Sequence, residues 1–333
     1  MTLGPSPATG TGRAIASFLA AVTLAGVAMV LLVRWSDVSS PVAVAVAGLT
    51  LFAAIPLAVS GLFAIAGRSR VLQVSWVLVL AVYVATVSPV HAVVGCGPTP
   101  GPADLTVLTA NVLRTADDPA GVAAMVASAD ADVVVLQEVS PSLWRSLADN
   151  PDLAELGFRS LDQGLVEIGP RSTLVLVMSK LDVRSARLHG LGAAGGLDLE
   201  AVLPESGQAV AFTGVHLNSP SQSVWVGPWR HQLSTLAARP VDGPGVIAGD
   251  FNATEDHRPF RRLLDAGWTD VHQTKGCGFW LTFPVDDTLP FPVMRLDHVL
   301  VTDHFEVLDV ELLSDANESD HRPVLTRLRL SGD

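Results

Sequence analysis

Apolar and polar positions are distributed in two different ways along this 333-residue chain. Up to residue 94 the apolar residues run without alternation. Segments 14–33, 42–66 and 71–94 carry no charged side chain, and each has at least 20 residues. A 20-residue helix covers about 30 Å, the thickness of a bilayer core, so the pattern predicts three transmembrane helices. Arg13 and Arg34 bracket the first segment, and Gly67-Arg68-Ser69-Arg70 separates the second from the third. A cleavable signal peptide has a shorter apolar core and is not followed by two further spans. Residues 95–103 hold three prolines and three glycines and read as a short, semi-stiff linker.

From residue 104 to 333 the pattern becomes that of an α/β domain. Short apolar runs at 105–112, 133–139, 173–178, 209–216, 246–251, 298–302 and 324–330 predict strands. Stretches 120–129, 142–148, 229–238 and 259–266 predict helices. A segment of this length can bury a core by itself.

The overall composition, 49% apolar and 16% charged, averages two unlike regions. Before residue 104 the only charged residues are Arg13, Arg34, Asp37, Arg68 and Arg70. The remainder carries 17 Lys and Arg against 32 Asp and Glu, a net charge of −15. Arg68 and Arg70 mark their loop as cytoplasmic, and Arg13 fits a cytoplasmic N-terminus. Three spans then predict a multi-pass cell-membrane protein with its folded domain outside. A domain so acidic repels polyanions, which makes nucleic acid a poorer partner than the bilayer or a phosphate borne by it. Arg258, Arg261 and Arg262 read as the solvated face of a helix. Cys96 and Cys277 are the only cysteines, which excludes a cysteine-rich zinc site. If both face the oxidising exterior, one disulfide between them is expected.

Polar residues punctuate the ends of the strand-like runs, where a sheet edge holds side chains rigidly. They are Asn111, Glu138 in Leu136-Gln137-Glu138-Val139, and His216 in Gly214-Val215-His216-Leu217-Asn218. Asp250 and Asn252 follow in Gly249-Asp250-Phe251-Asn252, Asp297 in Arg295-Leu296-Asp297-His298, and Asp320 and His321 in Ser319-Asp320-His321-Arg322-Pro323. Glu138 is the natural ligand for a hard cation such as Mg²⁺, which takes one or two carboxylates. Asp250 suits proton abstraction from water, with the neighbouring Asn252 amide free to donate to a phosphoryl oxygen. Asp297 and His321 suit a carboxylate–imidazole pair. His298 would point away from Asp297 on the opposite strand face and reads as a packing residue. His91, His189, His231, His257, His272 and His304 fall outside these motifs. Trp225, Trp229, Trp280 and Phe283 read as core, with a lipid-facing rim as the alternative.

Taken in this order, the motifs resemble those of the endonuclease/exonuclease/phosphatase superfamily, which includes DNase I-like nucleases, sphingomyelinases and inositol-phosphate phosphatases. The resemblance covers nearly all of 104–333 and implies a four-layer α/β sandwich, two mixed sheets with helices outside. It implies a metal site of Asn111, Glu138 and Asp320 binding Mg²⁺ or Mn²⁺, and catalytic roles for His216, Asp250, Asn252, Asp297 and His321. Many members carry an Asp two positions after the Asn; here that position is Leu113. The three spans before the domain resemble VanJ-type membrane proteins of actinobacteria, linked to teicoplanin-class glycopeptide resistance. That implies a metal-dependent phosphoesterase or pyrophosphatase acting outside the cell on a membrane-borne phosphate such as an isoprenoid-linked cell-wall intermediate. A surface-anchored nuclease and a non-enzymatic envelope-binding module remain as alternatives.

Overall fold

The computed structural model describes residues 7–87, 97–115, 118–160, 175–189, 191, 196–275, 278–285, 289–314 and 318–331. The chain divides into two compact units, Met1–Val90 with Asp256–Arg258, and His91–Glu255 with Pro259–Asp333.

Of the three expected spans, two are continuous helices and the middle one is a bent pair. Among the described residues two helices are long and apolar enough to cross a membrane, Gly10–Arg34 within α1 (Pro7–Arg34) and α4 (Arg70–Val87), or three spans if the bent pair between them counts as one. The segment between them is broken. α2 (Pro41–Gly48) and a 3₁₀ turn (Thr50–Ala53) leading into α3 (Ala54–Ala66) form a pair bent by 66°. Ser40 caps α2 by accepting from the Ala43 amide, and Pro41 occupies its first turn. The bend falls at Leu49, between Gly48 and Thr50, and Pro56 lies in the first turn of α3 beyond it. The proline has no N–H to give to a carbonyl one turn earlier, so it is tolerated near a helix start. Side chains of α4 donate to carbonyls of this bent pair: Tyr83 Oη to Leu51 O at 2.6 Å, and Trp76 Nε1 to Leu57 O at 2.7 Å. The predicted third span reaches Val87; its remainder, 88–94, lies outside the described residues, as do Cys96 and Cys277.

The C-terminal unit is a mixed α/β fold with two six-stranded sheets. The first has the order β11-β12-β1-β2-β4-β3, from β1 (Leu105–Asn111), β2 (Val133–Gln137), β3 (Phe158–Arg159), β4 (Val175–Ser179), β11 (Phe305–Leu312) and β12 (Val324–Leu330). The second has the order β5-β6-β7-β8-β10-β9, from β5 (Asp182–His189), β6 (Gly196–Val202), β7 (Ala209–His216), β8 (Gly245–Asp250), β9 (Thr269–Asp270) and β10 (Asp297–Val301). Each sheet has one parallel pair, β1 with β2 and β7 with β8.

Alternation within the strands builds the core between the sheets. Leu105, Val107, Val133 and Val135 of the first sheet share one buried cluster with Leu197, Leu199, Phe212, Val246 and Val299 of the second. Burying each such side chain contributes about 1.5–3 kcal/mol. The opposite face of the first sheet, with Leu108, Val134 and Leu136, packs on α5 (Pro119–Ala129) and α6 (Pro141–Ala148). Asp118 and Ser140 cap these helices, each followed by proline, and Asp130 ends α5 in a left-handed conformation. α7 (Ser223–Ala237) buries Val226, Trp229, Leu233 and Leu236, and α8 (Arg258–Asp265) buries Phe260 and Leu263. Trp229 is therefore core, as expected. Its indole N–H donates to Phe251 O, beside the Asp250 motif.

Candidate active site

Strand register assembles the centre. Across three neighbouring strands, His216 pairs with Asp250 and Asp250 with Asp297. Residues in register across a sheet project to one face, so three motifs far apart in sequence emerge side by side. Gly249 makes the approach of β7 and β8 possible. Its φ is +149°, and a Cβ there would lie 1.9 Å from Val215 O.

The first sheet supplies the opposing wall. Asn111 ends β1, and its Nδ2 lies 3.2 Å from Asp250 Oδ2 and 3.5 Å from Glu138 Oε1. Glu138 ends β2 in a left-handed conformation, φ 62°, which costs about 1–2 kcal/mol and is held by its surroundings. The Arg114 amide donates to Glu138 Oε2 at 3.3 Å. His216 Nε2 lies 3.6 Å from Asp250 Oδ2 and 3.8 Å from Glu138 Oε1. Thus Asn111, Glu138, His216 and Asp250 form one cluster.

Asp297 and His321 extend it. His321 Nδ1 is 2.8 Å from Asp297 Oδ2, and Asp250, Asp297 and His321 each offer an atom within 4.8 Å of the others. Burial disfavours charge on His321, but bonded Asp297, with Asp250 and Asp320, lifts its pKa to about 10, so the ring is an imidazolium. Asp250 is pushed up, first by burial and further by Asp297, against the pull of His321 and His216. Asp320 lies beside His321, with Oδ1 4.0 Å from Nε2.

Asn252 differs from the simplest expectation. With φ 48°, its backbone N–H donates to Asp250 Oδ1 at 2.7 Å, and its amide donates to Leu217 O and Asp250 Oδ2. Its N–H groups orient the carboxylate. The site offers mainly oxygen donors, the kind a hard cation selects. Asp297 Oδ1 is buried without a hydrogen-bond partner among the described residues, an acceptor left open in the site.

Three supporting residues were not singled out for the site from sequence. Ser319 Oγ donates to Asn111 O at 2.6 Å and accepts from the His321 amide at 3.1 Å, tying the β1 end to the histidine. Thr282 Oγ1 accepts from the Leu296 amide at 3.0 Å, just before Asp297. The Phe283 ring lies 4.8 Å from that of His321. Ser319 was legible as the residue preceding Asp320-His321. Thr282 and Phe283 sit in a loop with no pattern.

A second buried group, Asp270, His272 and His298, lies under β9 and β10. Burial lowers His272 to about 4, so it is neutral in the fold, with Nδ1 3.1 Å from Asp270 Oδ1. A histidine depressed in the folded state gives stability that is complete above its unfolded pKa and is lost as pH falls. Stability is therefore expected to drop between pH 6.5 and about 4, with up to about 3 kcal/mol from this residue. Thermal melts of wild type and His272→Gln at stepped pH check this. An equally steep loss in the variant would reject the assignment.

Comparison with known proteins agrees with the fold. No curated protein matches the chain. A structure from Bacteroides thetaiotaomicron described as an endonuclease/exonuclease/phosphatase family protein is 18% identical, with a TM-score of 0.54 over 68% of this chain and 98% of that one. D. rerio TDP2 complexed with single strand DNA product gives 18% identity and a TM-score of 0.53 over 68% and 98%. Mannosyl-6-phosphatase Bt3783 of Bacteroides thetaiotaomicron gives 17% and 0.53 over 67% and 99%. Residues 108–321, running from β1 to His321, match the profile of the Endonuclease/Exonuclease/phosphatase family, and the chain belongs to that family.

Proposed function

We propose that the protein is a membrane-anchored, metal-dependent hydrolase of phosphate esters or anhydrides. Its substrate is a membrane-borne phosphate outside the cell, such as an isoprenoid-linked cell-wall intermediate, and through it the protein bears on glycopeptide resistance. The observation that carries the reading is the registered set His216, Asp250 and Asp297, with His321 paired to Asp297 and Glu138 and Asn111 opposite. Family membership supports phosphoester chemistry, and the apolar N-terminal helices support the anchor.

Asn111 and Glu138 would hold the cation, Mg²⁺ or Mn²⁺, with Asp320 a further oxygen donor beside His321. When bound, the cation supplies neutralisation of phosphoryl charge. Asp250, its carboxyl pushed up by burial, accepts a proton from the attacking water. Asn252 keeps that carboxylate in place. His321, oriented through Nδ1 by Asp297, presents Nε2–H to a phosphoryl oxygen or leaving group, where positive charge is worth most as negative charge develops. His216 adds a second imidazole beside the Asp250 and Glu138 carboxylates.

Phosphate release by the full chain in detergent, with Mg²⁺ or Mn²⁺, tests the substrate. Release from a polyisoprenyl diphosphate is expected. Acid-soluble nucleotides from DNA would replace the reading by a nuclease, a class the net charge of −15 over 104–333 disfavours. Release from no phosphate compound would reject it. Glu138→Gln keeps the side-chain size and removes its charge. It is expected to lower activity by about 10²-fold, with partial recovery at high cation concentration. An unchanged cation requirement and rate would remove Glu138 from the metal site. Membrane-impermeant thiol labelling of single cysteines at Ser69 and Ser331, in a cysteine-free background, tests orientation. Labelling at 331 alone in intact cells is expected, and labelling at 69 alone would reverse the topology.

A further inference from the structure

Asp297 and His298 leave β10 toward opposite faces. Asp297 enters the candidate site, while His298 is fully buried behind it. Packing describes only part of its surroundings, in which its ring lies 4.4 Å from that of Phe260 and 5.5 Å from that of Phe251. Its Nδ1 lies 2.7 Å from Asp270 Oδ2. Its Nε2 lies 2.9 Å from Ala253 O and 3.2 Å from Arg295 O. Carbonyl oxygens only accept. Asp270 is an ionised acceptor too: burial would raise it, but Arg295, His298 and His272 hold it well below the usual carboxylate range. Each ring nitrogen already faces an acceptor of the protein, which leaves no open position for a cation at the ring. The Arg295 guanidinium, 3.5 Å from Asp270 Oδ2, further opposes a metal ion here.

The two side chains that share Asp270 both grip one loop. His298 holds Ala253 O, and Arg295 Nη2 lies 3.4 Å from Glu255 Oε2. That loop follows Asn252, whose left-handed backbone persists only if its neighbours fix it. We infer that His298, with Arg295, is a positioning residue: a clamp built on Asp270 that locks the 252–255 loop and thereby the Asn252–Asp250 geometry. The kinetic part of this inference rests on the hydrolytic reading above; the structural part does not.

The test uses the full chain in detergent, comparing wild type with His298→Gln. Gln cannot reach Asp270 and Ala253 together. Amide exchange read by mass spectrometry in peptides covering 251–256 is expected to quicken about tenfold or more, with β7 and β12 unchanged. With bis(p-nitrophenyl) phosphate and Mg²⁺, kcat is expected to fall about tenfold or more while KM stays within about threefold. A folded His298→Gln protein with unchanged exchange at 251–256 overturns the clamp. If the loop loosens but kcat holds, the positioning role is overturned. Should wild type release phosphate from no phosphate compound, the polyisoprenyl diphosphate included, the hydrolytic reading fails and exchange alone decides the clamp. Should His298→Gln fail to fold, Glu255→Gln, at a partly exposed position, replaces it. Faster exchange at 251–256 then supports the clamp, and unchanged exchange overturns it.

Discussion

Asp250→Asn is expected to lower turnover by about 10²–10⁴-fold, the range for loss of a positioned acid–base group, while the protein stays folded. The side chain is nearly isosteric, and its Oδ1 still accepts the Asn252 amide now bonded at 2.7 Å. What changes is the edge facing Asn111 Nδ2, at 3.2 Å, and Asn252 Nδ2, at 3.3 Å. A carboxylate oxygen there accepts both; an amide N–H₂ accepts neither and cannot take a proton from water. Removing the charge also takes away one of the groups that hold His321 protonated, so its pKa falls from about 10. Two functions are lost together, and His321→Ala added to Asp250→Asn should cost much less than the product of the separate effects. Initial rates on bis(p-nitrophenyl) phosphate with Mg²⁺, alongside thermal melts, decide the matter. Near-normal turnover in Asp250→Asn would place the chemistry elsewhere.

Much of this site was readable in sequence because its residues stand at strand ends, where apolar runs stop at a polar residue. The runs 209–216 and 324–330 coincide with β7 and β12, and the other predicted strands differ by a residue or two among described residues. β3, β5, β6, β9 and β11 were not anticipated. β3 and β9 have two residues each, the edge strand β5 carries Asp182, Arg184, Ser185 and Arg187, and register shifts at Val183/Ser185 and Val307/Asp309 break the alternation of β5 and β11. α7 begins at Ser223, six residues before the predicted start, with Pro228 inside the helix, where it gives up one intrahelical hydrogen bond. The second apolar segment was read as one span, and the 66° bend between Gly48 and Thr50 leaves no mark in its hydropathy. No local pattern indicated register. That His216, Asp250 and Asp297 would stand in one row depends on β7 pairing parallel with β8 and β8 antiparallel with β10, a long-range choice. The Asp270–His298 pair, 28 residues apart, is likewise visible only in three dimensions.

Gly249→Ala is expected to damage the fold more than any substitution of the catalytic residues. The glycine precedes Asp250, pairs with Val215 in β7 and has φ +149°, a conformation that L side chains rarely adopt. A methyl group there would stand 1.9 Å from Val215 O and 2.8 Å from its carbonyl carbon. Both belong to the backbone of a buried strand, so no rotamer change relieves the overlap. β7 and β8 must part, and with them the row formed by His216, Asp250 and Asp297. Overpacking of a core usually costs about 1–3 kcal/mol; an immovable backbone contact combined with an unfavourable φ should exceed about 3 kcal/mol. A loss of that size takes a large share of the stability of a typical domain. Tryptophan fluorescence melts of the detergent-solubilised chain, with limited proteolysis of the segment after residue 104, provide the measurement. A variant that melts within a degree or two of wild type and resists protease equally would show that β7 and β8 do not approach as closely as this register requires.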